Sequence, residues 1–354
     1  MAVRHGGDVY GKKIWMDYSV NINPLGMDKE VKRAINKSVI DCEKYPDIDC
    51  GELREKIANV LSCLPNQIIC GNGASELFVA IVHAALPSKI LIPVPSFYGY
   101  ERAALAAHAE VVYYEMAEAD GFCLNERICE ALQDDIDLVF LASPNNPVGN
   151  RISDDLLYRI LKECGEKDIK VVLDECFVEF VQGARSAVEW LKEFPNMILV
   201  RAFTKIYAIP GIRLGYLVCS DEKLCNEIRL QLPEWNVSIA AQAAGIAACE
   251  RKEYRQRTPE YVAAERAYLK DALEKNLPDV DILESETNYL FFKTRFNLYD
   301  MLLSYKVLIR DCSNYRGLGK GYYRIAVKKH EDNLAFVRVL KTALEESRRN
   351  EKKD

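Results

Sequence analysis

The sequence predicts an α/β protein: a large unit on a mostly parallel sheet with helices on both faces, followed by a smaller α+β unit. Three observations carry this. From about residue 52 to 220, short apolar runs of strand length alternate with stretches of helical periodicity, the pattern that builds parallel sheets through helical crossovers. After Pro233 the texture changes to long helix-like sequence and then to a few strand candidates. The most unusual polar residues fall directly after strand-like runs, where open α/β sheets bind their ligands.

The elements follow in order. Residues 1–44 read as an arm and part of the smaller unit, since 17–23 is too short and isolated to stand alone. The large unit is expected over 45–236. There, helix-like stretches at 53–61, 77–86, 100–107, 128–132 and 156–164 separate strand-like runs at 90–94, 111–114, 136–142, 170–173, 198–200 and 214–219. The second unit, 237–354, contributes helices at 238–250 and 253–275, strand candidates at 289–293, 307–309 and 322–327, and a last helix at 331–346.

At 354 residues the chain can bury two cores, and 49% hydrophobic with 28% charged residues is ordinary globular composition. A net charge of -6 offers no basic field to a nucleic acid. No apolar stretch reaches membrane-spanning length, and residues 1–10 lack the apolar centre of a signal peptide. A cytoplasmic protein is expected. The 12 cysteines form no C-x-x-C pair, and Cys70, Cys176 and Cys219 sit in or beside buried strands. They read as reduced, small hydrophobes, with no disulfide and no metal site.

Function is organised around residues 200–217, V-R-A-F-T-K-I-Y-A-I-P-G-I-R-L-G-Y-L. An apolar strand delivers a single lysine, Lys205, at the head of an irregular segment. Ile209, Pro210 and Gly211 keep a helix from continuing to Arg213. A lysine in an apolar pocket titrates near neutrality and can act as a nucleophilic amine, as Schiff-base chemistry requires. An arginine fixed nearby can grip a phosphate dianion with two donors. Together they suggest pyridoxal phosphate; a solvated loop lysine beside a surface arginine is the plainer alternative.

Four clusters bear on that choice. Gly71-Asn72-Gly73-Ala74-Ser75-Glu76 opens an apolar helix whose free N–H groups favour a phosphate, although glycine-rich helix starts are common. Asn145-Asn146-Pro147 ends a buried strand, where an amide can donate to a phenolic oxygen or simply make a turn. Asp174 closes the apolar run Val171-Val172-Leu173, where an unpaired carboxylate is costly. A protonated pyridine nitrogen would satisfy it and keep the ring an electron sink; an N-cap or a structural salt bridge is the competing account. Arg310 and Arg324 emerge at strand ends of the second unit, placed to grip anions or standing as ordinary surface arginines.

Taken in order, G-N-G-A-S-E, P-N-N-P-V-G, D-E-C-F-V-E-F, T-K-I-Y-A-I-P-G-I-R-L-G-Y and Y-Y-R-I-A-V resemble the fold-type-I pyridoxal-phosphate enzymes of the histidinol-phosphate aminotransferase group, across almost the whole chain. Within that group, H-G-G at 5–7, N-I-N-P-L-G at 21–26, T-K-I-Y-A-I-P-G, L-P-E-W-N-V-S and L-I-R-D-C-S-N-Y-R-G-L are similar to cobalamin-pathway threonine-phosphate decarboxylases. The resemblance implies a large domain with a mostly parallel seven-stranded sheet flanked by helices, plus a smaller α+β domain. It implies that Lys205 forms the Schiff base with the cofactor and later moves protons. Asp174 would pair with the pyridinium, Asn146 would contact the ring hydroxyl and Phe97 would stack on the ring. Gly73, Ala74, Ser75, Thr204 and Arg213 would hold the cofactor phosphate. Tyr45, in E-K-Y-P-D, matches a tyrosine that reaches the neighbouring subunit's site, which implies a homodimer with shared sites. His5, Gly6, Asn23, Arg310 and Arg324, with Asn146, would anchor the substrate's phosphate and carboxylate. In one departure, aminotransferases of the group usually carry tyrosine three residues after the aspartate. This chain has Phe177, as the decarboxylases do, and the lost hydroxyl should make the ring oxygen and imine more basic.

Two activities follow as expectations. The bond at Cα that breaks in this chemistry is the one held perpendicular to the cofactor ring, so substrate orientation selects the reaction. Remote binding of a phosphate can hold a carboxylate perpendicular and weakly solvated. The first expectation is therefore decarboxylation of O-phospho-L-threonine to (R)-1-aminopropan-2-yl phosphate and CO2. The alternative is transamination of histidinol phosphate or an aromatic amino acid with 2-oxoglutarate. Phosphoserine lacks only a methyl group, a difference that binding discriminates modestly.

Overall fold

A computed structural model describes residues 6–351. The chain begins with strand β1 (Met16–Asp17) and helices α1 (Lys29–Ser38) and α2 (Gly51–Leu61). The alternating region runs β2 (Ile68–Gly71), α3 (Ala74–Ala85), β3 (Lys89–Val94), α4 (Gly99–Ala106), β4 (Glu110–Glu115), α5 (Ile128–Ala131), β5 (Leu138–Ala142), α6 (Asp154–Glu166), β6 (Lys170–Asp174), β7 (Met197–Ala202), α7 (Phe203–Ile206) and β8 (Gly215–Cys219). Then come α8 (Glu222–Leu230), α9 (Ile239–Cys249), α10 (Lys252–Asn276), β9 (Asp281–Ile282) and β10 (Tyr289–Lys293). The chain closes with α11 (Leu298–Ser304), β11 (Val307–Leu308), β12 (Arg310–Asp311), β13 (Tyr322–Ala326) and α12 (His330–Glu351).

Seven strands form one sheet in the order β2-β8-β7-β6-β5-β3-β4, and only β8 runs antiparallel to its neighbours. The six strand-like runs of this region are all present. The seventh strand, β2, is four residues long and abuts the Gly71–Gly73 loop, so its run is too short to read alone. Both faces of the sheet are buried because helices cover both. Leu91, Val139, Leu141, Val171, Leu173 and Leu199 pack on one face; Ile90, Ile92, Leu138, Phe140, Val172 and Ile198 pack on the other. This period of two is what a pleated strand imposes. Register sets Asp174 level with Ala142 on one side and Val200 on the other. The ends of β5, β6 and β7 therefore open on one line. Ser153, Asp221 and Ser238 accept N–H bonds from the first turns of α6, α8 and α9 and fix where those helices begin.

The smaller unit is an antiparallel sheet, β12-β13-β10-β9. The arm joins it: β1 pairs in parallel with β11, and Met16 and Tyr18 share a core with Leu269, Phe292 and Phe336. Packing places the handover between units within α10 and not at residue 236. Ala241, Ala244 and Ala248 of α9 and Val262 of α10 lie in the large core, while Leu269 and Leu273 of α10 lie in the small one. All 12 cysteines are free. No helix among the described residues is long and apolar enough to cross a membrane.

Candidate active site

At the carboxyl ends of β5, β6 and β7, the large sheet, the arm and the small unit enclose a cavity of about 210 Å³. Its floor carries Lys205. This residue lies on the one-turn helix α7, whereas the sequence reads as irregular from that point. The turn forms because Tyr207 N–H reaches Phe203 O at 3.1 Å, and it stops before Ile209-Pro210. Burial, with Arg324 and Arg213 nearby, lowers the Lys205 pKa to about 8.

Asp174 closes β6 beside it. Its Oδ2 accepts from Tyr100 Oη at 2.5 Å and its Oδ1 from the Cys176 N–H at 2.8 Å. Burial raises its pKa, and these two donors oppose that rise. The adjacent Glu175 serves the fold: Arg201 Nη2 and Nε hold it at 2.8 and 3.0 Å, with Ser186 and Ala187 completing its contacts.

The opposite end suits a phosphate. Ala74 and Ser75 begin α3, whose first turn has no side-chain cap. Gly73 precedes it at φ +83°, and a Cβ there would sit 2.4 Å from Arg213 Nη2. Only glycine lets the guanidinium lie against that helix start. Thr204 and Arg213 line the same end, with Arg213 Nη1 tethered to Pro210 O at 3.1 Å.

The rest of the cavity is assembled from distant segments. Arg310 lies over the Tyr315 ring at 5.0 Å and donates to Asn314 Oδ1 at 2.7 Å. Arg324 donates through Nη2 to Ser19 O at 3.0 Å and through Nη1 to Asn146 Oδ1. Tyr315 Oη also reaches Asn146 Oδ1, at 3.3 Å. With Oδ1 so engaged, the Asn146 Nδ2 group is the one left to donate.

Of the predicted residues, Gly6, Ala74, Ser75, Phe97, Asn146, Asp174, Thr204, Lys205, Arg213, Arg310 and Arg324 line this one cavity, and Gly73 backs it. Asn23 does not. Its Nδ2 donates to Ile206 O and Thr258 Oγ1, and its Oδ1 accepts from the Leu25 N–H. It straps the arm to the lysine turn, and both its amide protons are used inside the fold. The arm residue that lines the cavity is Asn21, with Oδ1 buried and unpartnered. His5 lies outside the described residues. Tyr45 is 78% exposed, packs on Trp235 at 4.6 Å and does not line its own chain's cavity. Phe177 lines the wall with its ring edge-on to Tyr289. Sequence reasoning missed Tyr100, Ser19, Asn21, Cys176 and Tyr315. Asn21 and Tyr315 lay within quoted motifs, whereas Tyr100 carried no signal beyond a helical apolar stripe.

A larger, more open groove of about 1090 Å³ lies between α2, the segment after Phe177 and α10. It contains neither Lys205 nor Asp174. Among the described residues no cluster of histidine, cysteine and carboxylate could hold a metal ion.

A buried amine of lowered basicity, a buried carboxylate without a cationic partner, and a glycine-backed arginine at a helix start fit one group: a pyridine aldehyde bearing a phosphate. Together with the fold, this site defines a pyridoxal-phosphate-dependent enzyme. The chain belongs to the class I and II aminotransferase family, whose model matches residues 13–340. It is 35% identical over 332 residues to the threonine-phosphate decarboxylase of Salmonella typhimurium, covering 93% of this chain and 91% of that one. Two solved structures are similar. One is the histidinol-phosphate aminotransferase from Clostridium acetobutylicum, at 31% identity and a TM-score of 0.87 over 92% of this chain and 98% of that one. The other is the L-threonine-O-3-phosphate decarboxylase from Porphyromonas gingivalis, at 27% and 0.80 over 94% and 98%.

Proposed function

We propose that the protein decarboxylates O-phospho-L-threonine to (R)-1-aminopropan-2-yl phosphate and CO2, a step of cobalamin synthesis. The observation that carries this reading is the pair of buried arginines, Arg310 and Arg324, facing Lys205 across one cavity. Two fixed cations suit a substrate bearing both a phosphate and a carboxylate. Phe177 and the 35% identity to a threonine-phosphate decarboxylase support the same choice.

Bound pyridoxal phosphate supplies the electron sink at Cα. The chain does the rest. Ala74, Ser75, Thr204 and Arg213 would hold the phosphate, Asp174 would pair with the ring nitrogen, Phe97 would pack on the ring and Asn146 Nδ2 would donate to the ring oxygen. With a pKa of about 8, the Lys205 amine is neutral in roughly a tenth of molecules at pH 7, enough to condense with an aldehyde. Arg310 and Arg324 would anchor the substrate's anionic groups, with Asn21 Oδ1 accepting from a donor on the substrate, so that the carboxylate stands perpendicular. When the Cα–carboxylate bond breaks and CO2 leaves, Cα takes up a proton, for which Lys205 Nζ, in the same cavity, is the proposed donor.

Tyr45, exposed here on Trp235, is assigned to a second copy's site, which makes the working unit a homodimer. Its neighbours Val39, Ile40 and Ile48 are exposed and apolar, as a covered face would be.

The test is direct. Loaded protein is given phosphothreonine, and CO2 and the amine phosphate are followed with and without 2-oxoglutarate. Equal release without the oxo-acid supports decarboxylation. A requirement for 2-oxoglutarate, with glutamate formed from histidinol phosphate or an aromatic amino acid, supports transamination.

A further inference from the structure

We infer that Tyr100 is a positioning residue for the cofactor: its hydroxyl, with Cys176, holds the Asp174 carboxylate charged and fixed toward the ring nitrogen. Asp174 is buried at the end of β6, and among the described residues no lysine or arginine pairs with it. Arg201, on the neighbouring strand β7, is taken by Glu175, and Lys205, whose charge reaches Asp174 across the cavity, makes no ion pair with it. Neutral donors do the work, Tyr100 Oη on Oδ2 at 2.5 Å and the Cys176 N–H on Oδ1 at 2.8 Å. That distinction matters chemically. A cation beside Asp174 would compete with a pyridinium for its charge, whereas neutral donors stabilise the anion and leave its charge for the ring N–H.

The hydroxyl has one place to be. The Tyr100 ring is 1% exposed, stacks on Phe140 at 4.9 Å and meets Phe78 and Phe97 edge-on at 5.1 and 5.6 Å. Burial keeps its phenol protonated and therefore a donor. The Cys176 thiol lines the cavity beside the same carboxylate and is likewise kept protonated by burial. This inference needs the cofactor and is independent of which bond at Cα breaks.

Tyr100→Phe keeps the ring and removes only the hydroxyl. Cofactor-free wild type and variant are titrated with pyridoxal phosphate and with its ring-carbon analogue, in which CH replaces the pyridine nitrogen. The variant should bind pyridoxal phosphate about tenfold more weakly and the analogue within about twofold of wild type. The visible band of the loaded variant should also titrate at higher pH than that of wild type. Cys176→Ala keeps the main-chain N–H on Oδ1 and removes only the thiol, the other side-chain donor to Asp174; it should show a smaller loss of the same selectivity, and if Tyr100→Phe does not fold, an unchanged selectivity in Cys176→Ala overturns the inference. Equal losses for both ligands, as a purely structural role would give, or no loss for either, overturn the inference. Neither result touches the cofactor assignment, which wild-type binding tests separately.

Discussion

The two halves of the cavity are built differently. The half proposed for the cofactor is supplied by loops that directly follow strands of one sheet: Asn146 after β5, Asp174 at the end of β6, Lys205 and Arg213 after β7, Ala74 and Ser75 after β2. The half proposed for the substrate is gathered from the arm (Gly6, Ser19, Asn21) and from the small sheet and its loop (Arg310, Tyr315, Arg324). One half is fixed by strand register within a core. The other depends on how the arm and small unit close against it. Damage to the first should abolish chemistry, and damage to the second should weaken binding.

The largest expected effect belongs to the first half. Lys205→Ala should reduce turnover by about four orders of magnitude or more, the scale seen when an enzyme loses its covalent nucleophile. After mixing with cofactor, borohydride treatment and removal of small molecules, the variant should carry no covalently attached cofactor, whereas wild type should. Residual turnover within tenfold of wild type would place the chemistry elsewhere. Asp174→Asn keeps the shape and removes the charge. It should cost about two to three orders of magnitude in kcat, since a buried partner is lost to the ring nitrogen, while KM for substrate changes little.

This division also explains what was legible in the sequence. Gly73, Asp174, Lys205 and Arg213 stand in short contiguous motifs because a strand end and its loop place them together locally. Chain order therefore carries the geometry. Asp174 was legible for a further reason: an acid ending an apolar run has few explanations. Tyr100 was not, because a tyrosine on a helical stripe looks like any core aromatic until β6 brings Asp174 to its hydroxyl. The arm residues were half-legible. N-I-N-P marked the segment, but which asparagine faces the cavity depends on the turn that Asn23 itself caps. The handover within α10 was hidden because one continuous helix serves both cores.

A pH experiment sharpens the account of the first half. The folded pKa of Lys205 is lowered from 10.5 to about 8, mainly by burial. Acylation of this amine in cofactor-free protein should therefore rise through about pH 8, below the range of exposed lysines. The stability sign follows. Between about pH 8 and 10.5 the unfolded chain holds a proton at Lys205 that the folded chain has released, so Lys205 contributes a gain in stability to cofactor-free protein as pH rises through that window. Buried cysteines with raised pKa values act in the opposite sense, so the check is a comparison: by urea denaturation at pH 7.5 and 9.5, wild type should gain stability relative to Lys205→Met.

On the substrate half the effects shrink. Arg324→Lys keeps the charge but loses the fork that spans Asn146 Oδ1 and Ser19 O. KM for phosphothreonine should rise about tenfold or more, with a smaller fall in kcat as the Asn146 amide loses its orientation. A kcat effect exceeding the KM effect would move Arg324 into the chemical half.

The smallest expected effect on turnover comes from the two asparagines of the arm, and it separates the halves most finely. Asn23 spends both amide protons and one Oδ1 lone pair inside the fold, on Ile206 O, Thr258 Oγ1 and the Leu25 N–H. Asn23→Ala should lower unfolding stability by about 2 kcal/mol or more, because buried partners are left unsatisfied, while KM shifts less than about threefold. Asn21 presents a buried, unpartnered Oδ1 at the cavity. As an acceptor it suits a donor on the substrate and repels a bare carboxylate, so it steers orientation more than affinity. Asn21→Ala should leave stability within about 0.5 kcal/mol and raise KM about threefold to tenfold. If Asn23→Ala instead raises KM with stability unchanged, the arm approaches the cavity through the other asparagine, and the register of this segment against the small sheet is wrong by two residues.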